Sequence, residues 1–194
     1  MSANRAERPV VTNVSNRHIH LRAAELEKLF GPGYTLTKIK DLMQPGEHAC
    51  RETVTIVGKK ASIENVRVLG PLRKYNQVEI SRTDSFVLGV TAPIRVSGDI
   101  AGSAPVTIVG PYSTVELAEG CIIAKRHVHM TVADAAFFGV KNNDCISIRC
   151  AGERGLIFEN VVARVSDAMA LECHLDVDEA NAAAIKNGET VIIL

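Results

Sequence analysis

Val, Ile and Leu alternate with polar residues in short runs along the 194-residue chain: ETVTIVG, ASIENVRVLG, PVTIVGP, STVELAEG, DCISIRC, LIFENVVARV and ETVIIL. Side chains of a strand point alternately to its two faces, so this period of two predicts many short, half-buried antiparallel strands separated by Gly, Pro and Asn turns. The predicted class is mainly β with short helices, built as small barrels or sandwiches. Two helices are predicted, RAAELEKLFG at 22–31 and TVADAAFFGV at 131–140. Each opens just after a His-x-His and is closed by glycine.

The same pattern occurs twice. HIHLRAAELEKLFG matches HVHMTVADAAFFG at an offset of 109, and IENVRV (63–68) matches FENVVARV (158–165) at an offset of 95. The difference fits an extra segment around LTKIKDLMQPGEHA in the first half. At the second offset Glu64 and Asn65 fall on Glu159 and Asn160, and Glu79 falls on His174. Two copies are too few for a solenoid, so the duplication predicts two similar small β-barrel domains. Residues 11–90 form the first repeat unit and 124–194 the second; the strands within 91–123 could complete either barrel.

Composition narrows the function classes. Lys plus Arg and Asp plus Glu each number 22, so no long-range field draws the chain to nucleic acid or anionic lipid. Phosphate recognition must then be local. The five cysteines are scattered without a C-x-x-C pair, which points to a reducing, cytoplasmic setting. MSANRAERPVV has no apolar core of signal-peptide length, and no stretch is long enough to span a membrane. P-loop, dinucleotide-fold and nucleophile-elbow motifs are absent.

The candidate chemistry lies in RHIH and RHVH. In a strand His18 and His20 share one face while Ile19 and Leu21 point to the core, and His127 and His129 do the same opposite Val128 and Met130. Two imidazoles on one face can bind a metal bidentately, and a third donor leaves positions open for water or substrate. Glu79 and His174 are the repeat-matched third donors; which serves which pair is left open. Nitrogen ligands with a carboxylate suit zinc, two ions per chain, although cobalt, nickel, manganese or iron could occupy such a site, so ligand type narrows the metal without fixing it. A lone histidine in a sheet is more commonly a structural polar residue, but the matched recurrence favours ligands. His48 has no repeat partner and reads as structural.

Arg73 lies six residues before Glu79, and a guanidinium beside a metal suits a phosphate oxyanion. Arg17 and Arg126 project to the opposite strand face and read as structural. Cys173 faces away from His174, so a Cys/His nucleophile pair is not expected.

Through VSNRHIHL, LMQPGEHA, ENVRVLGPLRKYNQVEISRTD, APIRVSGD, IIAKRHVHM, ERGLIFENV and HLDVDEANAA, the chain resembles the PduL-type phosphate propanoyltransferases, phosphotransacylases of propanediol degradation and related bacterial pathways. The resemblance runs from about Val11 to Leu194. It implies two β-barrel domains, a dinuclear zinc site between them, and reversible acyl exchange between coenzyme A and inorganic phosphate. It also implies His18, His20, Glu79, His127, His129 and His174 as metal residues and Arg73 as the catalytic phosphate-handling residue. Ser15, Lys40, Arg67, Leu69, Phe86 and Asn181 would be coenzyme A contacts, and His174 would also lie at the coenzyme site. Lys40 and Arg67 suit nucleotide phosphates, and Phe86 suits adenine.

Bacterial microcompartment members of the family often carry an N-terminal amphipathic helix, whereas SANRAERPVV shows no such period. A cytoplasmic location is therefore expected, with a shell association open. Partners are acyl-CoA and phosphate, with a homodimer as the default assembly. Acetyl and propanoyl chains differ by one methylene, worth only about 1–3 kcal/mol in a pocket, so the acyl preference is open. The rival readings are a dinuclear metallohydrolase of thioesters or esters, and a non-catalytic barrel stabilised by its metals.

Overall fold

The computed structural model describes residues 5–194, so residues 1–4 of the N-terminal stretch discussed above lie outside the described residues. After a 3-10 turn at Arg5–Glu7 the chain forms β1 (Val10–Ser15), β2 (His18–His20), α1 (Ala23–Phe30), β3 (Lys38–Asp41), β4 (His48–Val57), β5 (Ser62–Gly70), β6 (Gln77–Glu79), α2 (Arg82–Leu88), β7 (Ile94–Arg95) and β8 (Ala104–Val109). There follow β9 (Thr114–Ala124), β10 (His127–Met130), α3 (Val132–Phe138), β11 (Cys145–Cys150), β12 (Leu156–Val165), β13 (Glu172–Asp176), α4 (Val177–Ala183) and β14 (Thr190–Ile193). No helix among the described residues is long and apolar enough to cross a membrane.

All seven alternating runs are strands, and both predicted helices form. The fold is mainly β, with two closed six-stranded barrels. One barrel runs β4-β5-β2-β6-β9-β8 and closes where β8 pairs β4; β3 and β7 extend it. The other runs β11-β12-β10-β13-β1-β14 and closes where β14 pairs β11. The two rings have the same sequence of pairings. β2 is parallel to β5 and antiparallel to β6, as β10 is to β12 and β13. The register repeats as well, with His18 opposite Arg67 and Glu79, and His127 opposite Val162 and His174.

Residues 16–42 and 46–124 make one compact unit; residues 5–15, 43–45 and 125–194 make the other. Strands β8 and β9 thus complete the first barrel. The strand preceding each His-x-His belongs to the barrel that does not contain it: β1 pairs β13, and β9 pairs β6. Each barrel has its own apolar core. Ile19, Leu21, Ile56, Val68 and Ile108 are among the fully buried residues of the first, and Val128, Met130, Phe138, Ile148 and Leu175 of the second.

Helices α2 and α4 are not among the predicted ones, although α3, of the same seven-residue length, is. Their termini explain them. Ser81 with Asp84, and Asp176 with Glu179, form complete capping boxes, as Thr131 and Asp134 do for α3. The repeated Glu-Asn also acquires a cause. Asn65 and Asn160 have φ of 58° and 56°, and each sits where the strand register shifts, so the motif marks a β-bulge that needs a residue tolerant of left-handed backbone.

Helix α2 ends on Gly89 at φ 67°, whereas its counterpart α4 ends on Ala184 at φ 51°. A Cβ in this region is costly. Ala184→Gly should therefore raise stability by about 0.5–1 kcal/mol in urea denaturation, and Asn160→Val should lower it by about 1–2 kcal/mol. Destabilisation by Ala184→Gly would contradict the left-handed cap.

Candidate metal centres

Two groups of side chains converge within single units: His18, His20 and Glu79 in the first, and His127, His129 and His174 in the second. The donor atoms of each group all lie within 4.8 Å of one another. The structure thus gives Glu79 to the first His-x-His and His174 to the second. The cause is local, because the antiparallel neighbour of each His-x-His strand presents its third donor directly opposite the first histidine.

In the first group, Asn16 O accepts a hydrogen bond from His18 Nδ1 at 2.8 Å. That proton leaves Nε2 as the electron-pair donor, and it lies 3.5 Å from Glu79 Oε2. Glu79 Oε1 accepts from Gln77 Nε2 at 2.6 Å and from Ser97 Oγ at 3.0 Å. The Gln77 amide is itself held, donating to Ser97 Oγ and accepting from the Gly98 N–H. His20 Nδ1 is buried without a hydrogen-bond partner among the described residues. Such an orphaned nitrogen is costly unless something else engages it.

The second group repeats the first tautomer. Lys125 O accepts from His127 Nδ1 at 2.8 Å, which leaves Nε2 as the donor, 3.0 Å from His129 Nε2. His129 Nδ1 lies 3.2 Å from the Met169 sulfur, a weak acceptor. The two Nε2 atoms can share one proton as an N–H···N hydrogen bond or, with both protons on Nδ1, turn two lone pairs toward a cation. His174 Nε2 donates to Glu172 Oε2 at 2.9 Å. Glu172 is 2% exposed and also accepts from Gln44 Nε2 at 2.6 Å and Asn13 Nδ2 at 3.0 Å.

Electrostatics favour neutral imidazoles at both places. Burial, with the neighbouring His18 and Arg73 charges, holds His20 well below the ordinary histidine range. Burial, with His127, His174 and Arg164, pushes His129 down to about 2. Neutral imidazole is the form that binds a metal. Burial opposes ionisation of Glu172, but hydrogen bonds from His174, Gln44 and Asn13 outweigh it and hold the carboxyl below its usual range. The donor sets of both groups and the orphaned His20 nitrogen of the first fit a divalent cation in each group.

Arg73 is placed by backbone, not by strand periodicity, since it lies outside β6. Its N–H donates to Leu21 O at 2.9 Å, directly after His20. Its guanidinium donates to Glu47 Oε1 at 3.0 Å and to the Tyr75 hydroxyl at 3.3 Å. Arg17 binds Asp84 and Arg126 binds Glu179, at 2.9 and 2.8 Å. Both arginines therefore tie the start of a His-x-His to the helix that follows the third donor. Cys173 is fully buried in the second core, and burial pushes its thiol up, which removes it as a nucleophile. His48 packs its ring against Gly70.

The remaining candidates lie in both units. Lys40 is exposed on β3, Leu69 is half-buried on β5, and Phe86 is exposed on α2. Arg67 donates to the Cys50 and Arg51 carbonyls. Ser15 ends β1 opposite Asp176, and Asn181 is exposed on α4. Sequence reasoning missed Gln77, Ser97, Glu172 and Gln44. Gln77 and Glu172 carried a usable signal, since each stands two residues before a third donor and so shares its strand face.

The model of the phosphate propanoyltransferase family matches residues 11–186. A phosphate propanoyltransferase of Thermotoga maritima is 53% identical over 191 residues, covering 98% of this chain and 91% of that protein. One from Lachnoclostridium phytofermentans is 55% identical over 186 residues, covering 95% and 87%. One from Salmonella typhimurium is 50% identical over 182 residues, covering 93% and 86%. With a family model over residues 11–186 and relatives about half identical over more than nine tenths of its length, the chain belongs to the phosphate propanoyltransferase family, a family of transferases.

Proposed function

We propose that the protein exchanges an acyl group between coenzyme A and inorganic phosphate, with propanoyl-CoA or acetyl-CoA as the thioester and one zinc ion in each three-donor group forming a dinuclear centre. The observation that carries this reading is the pair of three-donor groups, one of them with Arg73 anchored beside it. Structural zinc is normally closed by four protein ligands, so three donors suit a substrate-binding ion. Zinc there would supply Lewis acidity and a soft partner for a thiolate.

The side chains do the rest. Arg73 offers a planar donor fork to phosphate oxygens, and the Leu21 carbonyl and Glu47 fix its direction. A phosphate oxygen attacks the thioester carbonyl carbon; the new C–O bond forms, the C–S bond breaks, and its electron pair leaves on sulfur. Acyl phosphate and coenzyme A result, with no acyl-enzyme, consistent with the buried, protonated Cys173. Lys40 and Arg67 would meet the coenzyme phosphates and Phe86 the adenine, with Ser15, Leu69 and Asn181 as further contacts.

Thiol release from propanoyl-CoA should require phosphate; release that ignores phosphate would identify a hydrolase instead. Arg73→Ala should lower turnover at least about 100-fold while zinc per chain stays at the wild-type value, and normal turnover in that variant would refute its role. Stripping with a chelator should abolish exchange, and zinc should restore it.

The histidine shifts give a pH dependence for the metal-free chain. Unfolded histidine titrates near 6.5, whereas folded His20 and His129 lie far lower. The unfolded chain therefore binds more protons below about pH 6.5, and stability falls as pH drops through that window toward 2. One such histidine lowers stability by about 1–2 kcal/mol between pH 6.5 and 5. Urea unfolding of chelator-treated protein at these two pH values reads the slope; a flat profile would contradict the assignment.

A further inference from the structure

The third donor of each centre comes with a partner two residues earlier on the same strand face, and the two pairs have opposite hydrogen-bond polarity. In the first unit Gln77 donates and Glu79 accepts. In the second His174 donates and Glu172 accepts. The positions correspond at the repeat offset of 95. All four residues are polar on a barrel strand, and Gln77, Glu79 and Glu172 are buried. Each pair carries one carboxylate, on the donor residue in one case and on its supporter in the other.

Resting on the two-metal reading above, we infer that Gln77 and Glu172 are positioning residues, and that each pair works only as a matched set. A carboxylate ligand needs a hydrogen-bond donor behind it, and an imidazole ligand needs an acceptor. The surroundings enforce this. Gly98 N–H occupies the Gln77 carbonyl, so the amide can present only its NH₂ group to residue 79. Gln44 and Asn13 both donate to Glu172, so that side chain is held as an acceptor toward residue 174. A glutamate at 174 would therefore face the Glu172 carboxylate at hydrogen-bond distance, like charge against like charge in a buried place. A histidine at 79 would meet an amide NH₂ where its ring N–H needs an acceptor.

The test is a pair of double-mutant cycles on the full chain, read by zinc retention against a competing chelator and by the visible spectrum of cobalt-substituted protein. His174→Glu should weaken one of two zinc ions at least tenfold; adding Glu172→Gln should recover most of it only in a Gln44→Ala background, because Gln44 Nε2 donates to the same Oε2 that faces His174, and the cobalt spectrum should then resemble that of the first centre. Glu79→His should weaken the other ion, with recovery on adding Gln77→Glu. The 172/174 cycle replaces a ligand by a smaller one, so it tests the rule without adding volume. Singles that hold zinc as tightly as the doubles, or doubles no better than singles, would overturn the pairing while two ions in the wild type keep the metal reading. A wild-type chain that retains no zinc would overturn both.

Discussion

A buried imidazole has two nitrogens to satisfy, and most of the polar architecture follows from that requirement. Each His-x-His strand buries two such rings on one face and two apolar side chains on the other. One nitrogen of the first ring is satisfied by a backbone carbonyl two residues earlier, Asn16 for His18 and Lys125 for His127. The other is turned inward toward the third donor or the second ring. The geometry leaves His20 Nδ1 without a hydrogen-bond partner among the described residues, and sets His127 Nε2 3.0 Å from His129 Nε2. Chemistry enters where protein partners run out.

The same short stretch does several tasks because the chain changes barrel there. Membership passes from one unit to the other between Ser15 and Asn16, and again between Ala124 and Lys125, 109 positions later. The next residues supply the carbonyl that fixes the histidine tautomer and the arginine that clamps a helix cap. Arg17 reaches Asp84 and Arg126 reaches Glu179, both at the third position of a capping box. Crossover, tautomer and clamp are thus one conserved unit of construction within the duplicated chain. Arginine before His-x-His is repeated for this structural reason, while Arg73, which is not repeated, is anchored by its backbone to Leu21, next to the first His-x-His.

Much of this was legible in advance. Period-two alternation marked the long strands because a barrel wall has one dry face, and the duplication was visible because the His-x-His, the Glu-Asn and the third-donor positions recur in register. What was hidden was short or paired through space. Helices α2 and α4 follow no His-x-His and are started by capping boxes that hydrophobic alternation does not register, and Arg73 is set by a backbone bond to Leu21, which strand spacing could not reveal. Gln44 lies in the segment present only in the first repeat, so no internal comparison could connect it to Glu172.

Local facts could be read along the chain: which residues share a strand face, and which six side chains are equivalent by duplication. Those depend on neighbours a few positions away. Only the tertiary structure decided that β1 and β9 are exchanged between barrels, that Glu79 belongs with His18 and His174 with His127, and that Gln77 and Glu172 face their donors with opposite polarity. These are properties of strand pairing between distant segments, and a side chain's partner across a sheet is set by register, which composition and periodicity leave undetermined.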